Sequence, residues 1–392
     1  MVPEYRKEFN RQFSNEKYEL LLKILTEKCS EAPAFRISES PVFLPLSFKK
    51  KLEDVTGAII RQIKSMSPEE LAKAIPADSV VPGDTSHPEF LSIDFGICRD
   101  EKGEISPKLI ELQAFPTLYA FKKLYEESLG EVYPFIQEIK NPISNEVYFS
   151  KLKNIIIGDE NPENVILLEI FPENQKTRID FWATEKMLGI KTVGLTEVQK
   201  SGRKLYYEKE GRKIPIHRIY NRVIFDELHR YKDLKLNFDF RDDLDVKWIA
   251  HPNWFFKVSK FILPKLEHDY IPKSYFLNDF PNGEKLDDFV LKPLFSFAGS
   301  GINLHPTQAQ IDAIPDKENF IMQRKVQYEP LFEDIFGDKA KGEIRMLFLW
   351  EPDKEEPEWV FNLTRMTKAD MVNVDFNKKD AIWIGSSISF FV

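Results

Sequence analysis

A lysine sits in the middle of an apolar run, and few folds tolerate that. Phe289-Val-Leu-Lys-Pro-Leu-Phe-Ser-Phe-Ala-Gly-Ser-Gly301 reads as an apolar strand carrying Lys292, followed by a loop built from Ser296, Ala298, Gly299, Ser300 and Gly301. An ammonium inside an apolar strand is costly unless it meets an anion. Small residues let backbone amides approach a phosphate closely. The same segment also reads as a tight turn whose lysine snorkels to solvent. A complementary segment lies far upstream, at Asp94 and Glu111-Leu-Gln113. Glu111 and Gln113 are two apart on a strand and share a face. With Asp94 they form a set of hard oxygen donors suited to Mg²⁺, or else an exposed polar strand face. Together the segments predict a nucleoside triphosphate site assembled from both ends of the chain.

At 392 residues the chain is long enough for two or three domains. Its net charge of -8 gives no reason to expect nucleic acid as a partner. The two cysteines, Cys29 and Cys98, have neither metal-binding nor redox spacing. The N-terminus has no apolar signal core, and no apolar run is long enough for a bilayer, so no membrane partner is expected and the expected location is cytoplasmic. Only 16 residues are glycine, so each glycine is worth inspecting for a close approach.

Periodicity divides the chain into three parts. Residues 1–145 hold helices, then two strands around Leu91–Phe95 and Pro107–Gln113, then a helix from Leu118 to Ile139. Residues 146–240 alternate strand and helix, which predicts a small α/β domain with parallel pairing. Within it, Lys213–Tyr220 reads as one strand paired with Lys204–Tyr207. Residues 241–392 begin with a helix over Trp254–Leu266 and continue as mainly antiparallel strands, giving an α+β block.

Further positions carry chemistry in two readings each. Gln323, Lys325 and Val326 end an apolar strand, and such an end pairs either with a base edge or with nothing but a loop. Arg345, in Glu343-Ile-Arg345, either neutralises phosphate or makes a cross-strand ion pair. In the middle domain Glu169, Asn174, Gln175, Arg218 and Arg222 fall at strand ends or loops. Gln175 and Arg222 are the substrate candidates, and both arginines also read as a solvated strand face.

The order of these motifs resembles the ATP-grasp superfamily of carboxylate–amine ligases. Placing Asp and E-x-Q before the lysine strand is similar to the circularly permuted arrangement of glutathionylspermidine synthetase-like and eukaryotic glutathione synthetase-like ligases. The resemblance covers roughly residues 85–120 and 250–370. It implies a circularly permuted ATP-grasp core with a Rossmann-like α/β domain inserted in the middle. It implies ATP and Mg²⁺ as cofactors, and an acid and an amine, small molecules or peptides, as substrates. It gives Lys260 and Lys292 to the phosphates and Gln323, Lys325 and Val326 to the adenine hinge. It assigns Asp94, Glu111 and Gln113 to the metal and Arg365, in Asn362-Leu-Thr-Arg-Met-Thr-Lys368, to a substrate carboxylate. Three features depart from the pattern. Gln113 replaces the usual Asn, Ser296 stands where glutathione synthetases carry Glu, and Ala369–Phe376 lacks their glycine-rich lid. Glutathione is therefore not the expected product. An ATP-dependent kinase and a non-catalytic nucleotide-binding protein are the competing functions.

Overall fold

The computed structural model describes residues 1–140, 143–296, 299–369 and 382–392. Its main sheet is antiparallel and is built from both ends of the chain. Strand Ile105–Gln113 pairs with Phe90–Arg99, which pairs with Lys339–Leu349, which pairs with Glu358–Thr367, which pairs with Gly385–Ser387. Strand 339–349 shows why it sits centrally. Ile344, Met346 and Phe348 alternate into one hydrophobic cluster, and Leu347 and Leu349 into another on the opposite face.

Helix Leu46–Ser65 covers the first face. Its buried positions, Phe48, Leu52, Val55, Ile59 and Ile63, recur every three or four residues, as an amphipathic helix requires. Helix Tyr119–Val132 packs with Leu347, Phe361 and Leu363 on the second face. Further along that face the side chains are charged rather than apolar: Asp94, Glu111, Glu343, Arg345 and Arg365.

The middle of the chain forms a four-stranded parallel sheet. Its order is Lys247–Ile249, Arg218–Asn221, Val165–Glu169, Lys191–Gly194. Strand 165–169 is buried at every position, as a strand covered on both faces must be. The fourth strand, 247–249, lies past the 146–240 span read from the sequence. A third, antiparallel sheet joins Ser274–Phe276, Phe320–Arg324 and Phe289–Pro293 over a small core of Leu277, Phe289, Leu291, Ile311 and Met322.

Three elements differ from the sequence reading. Lys213–Tyr220 is not one strand. Arg212–Ile216 belongs to an antiparallel meander and Arg218–Asn221 to the parallel sheet. The backbone of His217 turns between them, its N–H bonded to the Asn164 carbonyl and its carbonyl to the Lys247 N–H. The Trp254–Leu266 helix is broken into an α-helix over Pro252–Lys257 and a 3₁₀ segment over Lys260–Lys265. The Ser259 hydroxyl donates to the Phe256 carbonyl and accepts from the Phe261 N–H, competing with the helical ladder. Helix 119–132 stops before Pro134 and continues as a 3₁₀ turn over Pro134–Glu138.

The last strands close the fold. Ser389–Phe391 pairs in parallel with Val42–Leu44, and the Ser386 N–H donates to the Arg36 carbonyl at 2.8 Å. Gly385 makes this approach possible. Its φ is +116°, and a Cβ there would lie 2.5 Å from the Arg36 carbonyl oxygen. Gly385→Ala is expected to lose roughly 1–3 kcal/mol of stability through that strained conformation alone, and more through the clash. Urea unfolding followed by circular dichroism measures it; an unchanged midpoint would contradict the close approach.

Candidate functional site

Strand register assembles the charged face. Arg345 lies opposite Asp94, Asp94 opposite Glu111, and Glu343 opposite Arg365. Residues directly opposite in antiparallel strands share a face and touch. Arg345 holds Asp94 with both arms of its guanidinium, Nε to Oδ1 at 2.6 Å and Nη2 to Oδ2 at 2.7 Å. Arg365 also donates to Oδ2 of Asp94, and to Oε2 of Glu343 at 2.9 Å. The other oxygen of Glu343 accepts from the Tyr328 hydroxyl. Tyr328 fits because residue 96 is glycine: a Cβ there would meet its ring at 2.8 Å. Arg345 therefore makes the cross-strand ion pair that was one of its two sequence readings, with Asp94 as partner.

A bulge turns the lysine strand into the same site. The register slips after Asp94, so Ile110 is the extra residue between Leu109 and Glu111. The freed Ile110 carbonyl accepts from Lys292 Nζ at 3.2 Å, and Gln323 Oε1 accepts from it at 2.6 Å. Gln323 Nε2 reaches the Leu109 carbonyl at 3.4 Å. Lys292 is thus buried and satisfied by neutral oxygens. Burial pushes its pKa down to about 8, against the pull of Glu111 and with the push of Lys260. Lys260 Nζ donates to Ser296 and stands 3.8 Å from Glu111. Burial raises the Glu111 pKa, but Lys260, Arg345, Arg365 and Lys292 outweigh it and hold the carboxyl at about 2.

Those contacts decide the fit of a metal. Both Asp94 oxygens are occupied by guanidinium, and Glu111 has Arg345 at 3.7 Å and Lys260 at 3.8 Å. A divalent ion bridging the two carboxylates at about 2.1 Å would lie near these cations. At ~4 Å and an effective dielectric of about 20, its repulsion with one of them is on the order of 8 kcal/mol. Among the described residues no three His, Cys, Asp or Glu side chains gather to hold a metal. The expected ligand set of Asp94, Glu111 and Gln113 is brought together in space, but it does not suit a resident Mg²⁺. The reason is the arginine that the register places opposite Asp94.

The charged face opens into a cavity of about 990 Å³. Glu111, Gln113, Lys292, Gln323, Arg345 and Arg365 line it. Val290, Ile302 and Leu304 supply apolar wall near Lys325 and Val326. The Lys325 N–H is already bonded to the Asp288 carbonyl, so that amide is not free for a base edge. The loop after strand 289–293 returns to it through paired bonds between Leu291 and Asn303. Ser296 and Gly299 line the cavity, Ser300 and Gly301 are exposed outside it, and Ala298 lies outside the described residues.

The far end of the cavity belongs to the parallel sheet. Glu169 and Arg222 come from the carboxyl ends of adjacent strands, where open α/β sheets bind ligands. Arg222 is buried, its guanidinium 4.8 Å from the Phe115 ring centre and 5.2 Å from that of Phe181. Its Nε and Nη1 have no hydrogen-bond partner. Burial pushes the Glu169 carboxyl up to about 8 although Arg222 pulls it down, so it is protonated at neutral pH. Gln175 also lines the cavity, donating to the Ile170 carbonyl and to Glu227. Arg218 does not line it. It donates to the Ile155 and Ile156 carbonyls and caps helix Asn145–Ile156.

No protein-family model matches the chain, and no curated protein matches it in sequence. Solved structures do match. One is a glutathione synthetase-like effector from Globodera pallida in apo form, 11% identical, with a TM-score of 0.59 over 96% of this chain and 97% of that one. The two chains share a fold. At that identity the likeness concerns fold alone. Among the described residues no helix is long and apolar enough to cross a membrane.

Sequence reasoning missed Tyr328, Phe115, Glu227 and Ser386 as cavity residues. Gly96, a lone glycine within a strand, was the available signal for Tyr328.

Two consequences are measurable. Asp94→Ala leaves Arg345 and Arg365 without their shared counter-charge and is expected to cost about 3–5 kcal/mol in chemical unfolding. Asp338→Ala, which removes only an exposed partner of Lys368, is expected to cost less than ~1 kcal/mol. Lys292 loses its proton near pH 8, so anion affinity falls as pH rises through that value. With ATP as a polyanionic probe, calorimetry is expected to show roughly tenfold weaker binding at pH 9 than at pH 7, and less change for Lys292→Arg. The stability term has the opposite sign. Between pH 8 and 10.5 the unfolded chain binds the proton that the native lysine has given up, so this residue's contribution to stability rises with pH.

Proposed function

We propose that the protein is an ATP-dependent carboxylate–amine ligase that binds the nucleotide and a small acid in one cleft. The observation that carries this reading is the pairing of two cationic ends in a single cavity. Lys292, Arg345 and Arg365 stand at one end and Arg222, with free N–H groups, at the other. A cavity of about 990 Å³ is of the size that holds a cofactor with a small substrate. The chain order, with the strands of Asp94 and Glu111 ahead of the lysine strand, supports reading the core as a circularly permuted ATP-grasp.

In this reading the triphosphate lies along the charged face, with its base against Val290 and Ile302 and beside Val326. Arg222 clamps a carboxylate with two N–H groups, stacked between aromatic rings that exclude water. A second carboxylate oxygen of the acid attacks the γ-phosphorus, the bond to the bridging oxygen breaks, and ADP leaves. Lys292, Arg345 and Arg365 hold the charge that spreads over the phosphoryl oxygens. A neutral amine then attacks the acyl carbon, the C–N bond forms as the C–O bond to phosphate breaks, and the phosphate departs with the proton that the nitrogen gives up. The acid, the amine and the cytoplasmic location remain part of the proposal.

A second reading, nucleotide binding without turnover, is favoured by the occupied oxygens of Asp94. Hydroxylamine separates the two. A ligase gives hydroxamate and acid-dependent ADP release when amino acids and short peptides are screened. Arg222→Met is expected to remove the acid dependence while ATP affinity changes less than about threefold. ATP binding with no hydroxamate for any acid leaves the second reading.

A further inference from the structure

Arg345 occupies the place in which two acidic strands would otherwise present a cation site. Its strand lies directly beside Phe90–Arg99, and the register sets its guanidinium against Asp94 and 3.7 Å from Glu111. We propose that the Arg345 guanidinium is a built-in cation that takes the role of a protein-held divalent metal, so that this cleft binds the phosphate chain of a nucleotide independently of metal. The proposal rests on the nucleotide reading above.

Four observations support it. The Arg345–Asp94 contact uses two parallel hydrogen bonds, a planar match that a carboxylate gives to guanidinium and that holds the charge in place at every working pH. The neighbouring acid is also committed, since Arg365 and Tyr328 between them take both oxygens of Glu343. The local balance is positive: Lys260, Lys292, Arg345 and Arg365 face Asp94, Glu111 and Glu343. Finally, Nε of Arg365 is buried without a hydrogen-bond partner on a residue that lines the cavity. A phosphate oxygen satisfies such a donor; a metal ion does not. Arginine is weakly hydrated and rigid, so it stays buried at 9% side-chain exposure without the water shell that Mg²⁺ retains.

The test compares ATP binding by calorimetry in EDTA and in excess magnesium chloride, with the wild-type chain and Arg345→Gln. The wild type is expected to bind ATP in EDTA within about threefold of its affinity in magnesium, or more tightly. Without nucleotide it is expected to bind no Mn²⁺ by electron paramagnetic resonance. Arg345→Gln leaves Asp94 held by Arg365 alone and Glu111 facing Lys260 alone, so it is expected to bind ATP about tenfold more weakly in EDTA and to recover with magnesium. It is also expected to gain Mn²⁺ binding. Magnesium tightening wild-type ATP binding tenfold or more overturns the proposal and leaves the nucleotide reading standing. No ATP binding in either buffer overturns both. The wild-type comparison decides the matter even if Arg345→Gln fails to fold, and Arg345→Lys, which keeps the charge, is expected to remain independent of magnesium.

Discussion

Everything in this cleft depends on how one buried aspartate is neutralised. Asp94 is almost fully buried, and it is held by two arginines that arrive on different strands from the other end of the chain. Burying an ion pair is expensive, and the attraction repays the desolvation only when the geometry is close and the remaining donors and acceptors are satisfied. Here the geometry is bidentate, and it spans three neighbouring strands. The same contact therefore joins the N-terminal and C-terminal parts of the sheet and fixes the charge of the cavity wall.

The two ends of the cavity are made in different ways. At the charged face a bulge exposes the Ile110 carbonyl, which gives Lys292 a neutral partner and leaves its charge available to an anion. At the parallel sheet the position is set by strand ends, which place Glu169 and Arg222 at the rim. Burial keeps Glu169 protonated at neutral pH, so that residue offers Arg222 little counter-charge. One cavity thus offers cations at both ends, with aromatic and aliphatic wall between them.

Much of the secondary structure was legible. Helix 46–65 announces itself by apolar positions three and four apart, the strands around Asp94, Glu111 and Arg345 by their apolar residues on either side of a charge, and the Lys292 strand by a continuous apolar run. What failed did so for local reasons. Lys213–Tyr220 carries one continuous strand-like pattern, yet a single residue, His217, divides it between two sheets. Val42–Leu44 and Ser389–Phe391 are too short for any periodicity to show.

The sequence by itself determined which residues carry charge and which strands hold them: a lysine in an apolar strand, acids on another, arginines on two more. That they meet was predicted from the family resemblance their order carries. Only the tertiary structure decided what they do to one another. Strand register, which the alternating pattern leaves free to slide by two residues, sets Arg345 opposite Asp94 rather than beside Glu343 alone. That one alignment turns an expected metal-ligand set into a cationic wall, because a carboxylate already held by two guanidinium groups presents their positive charge to any approaching cation.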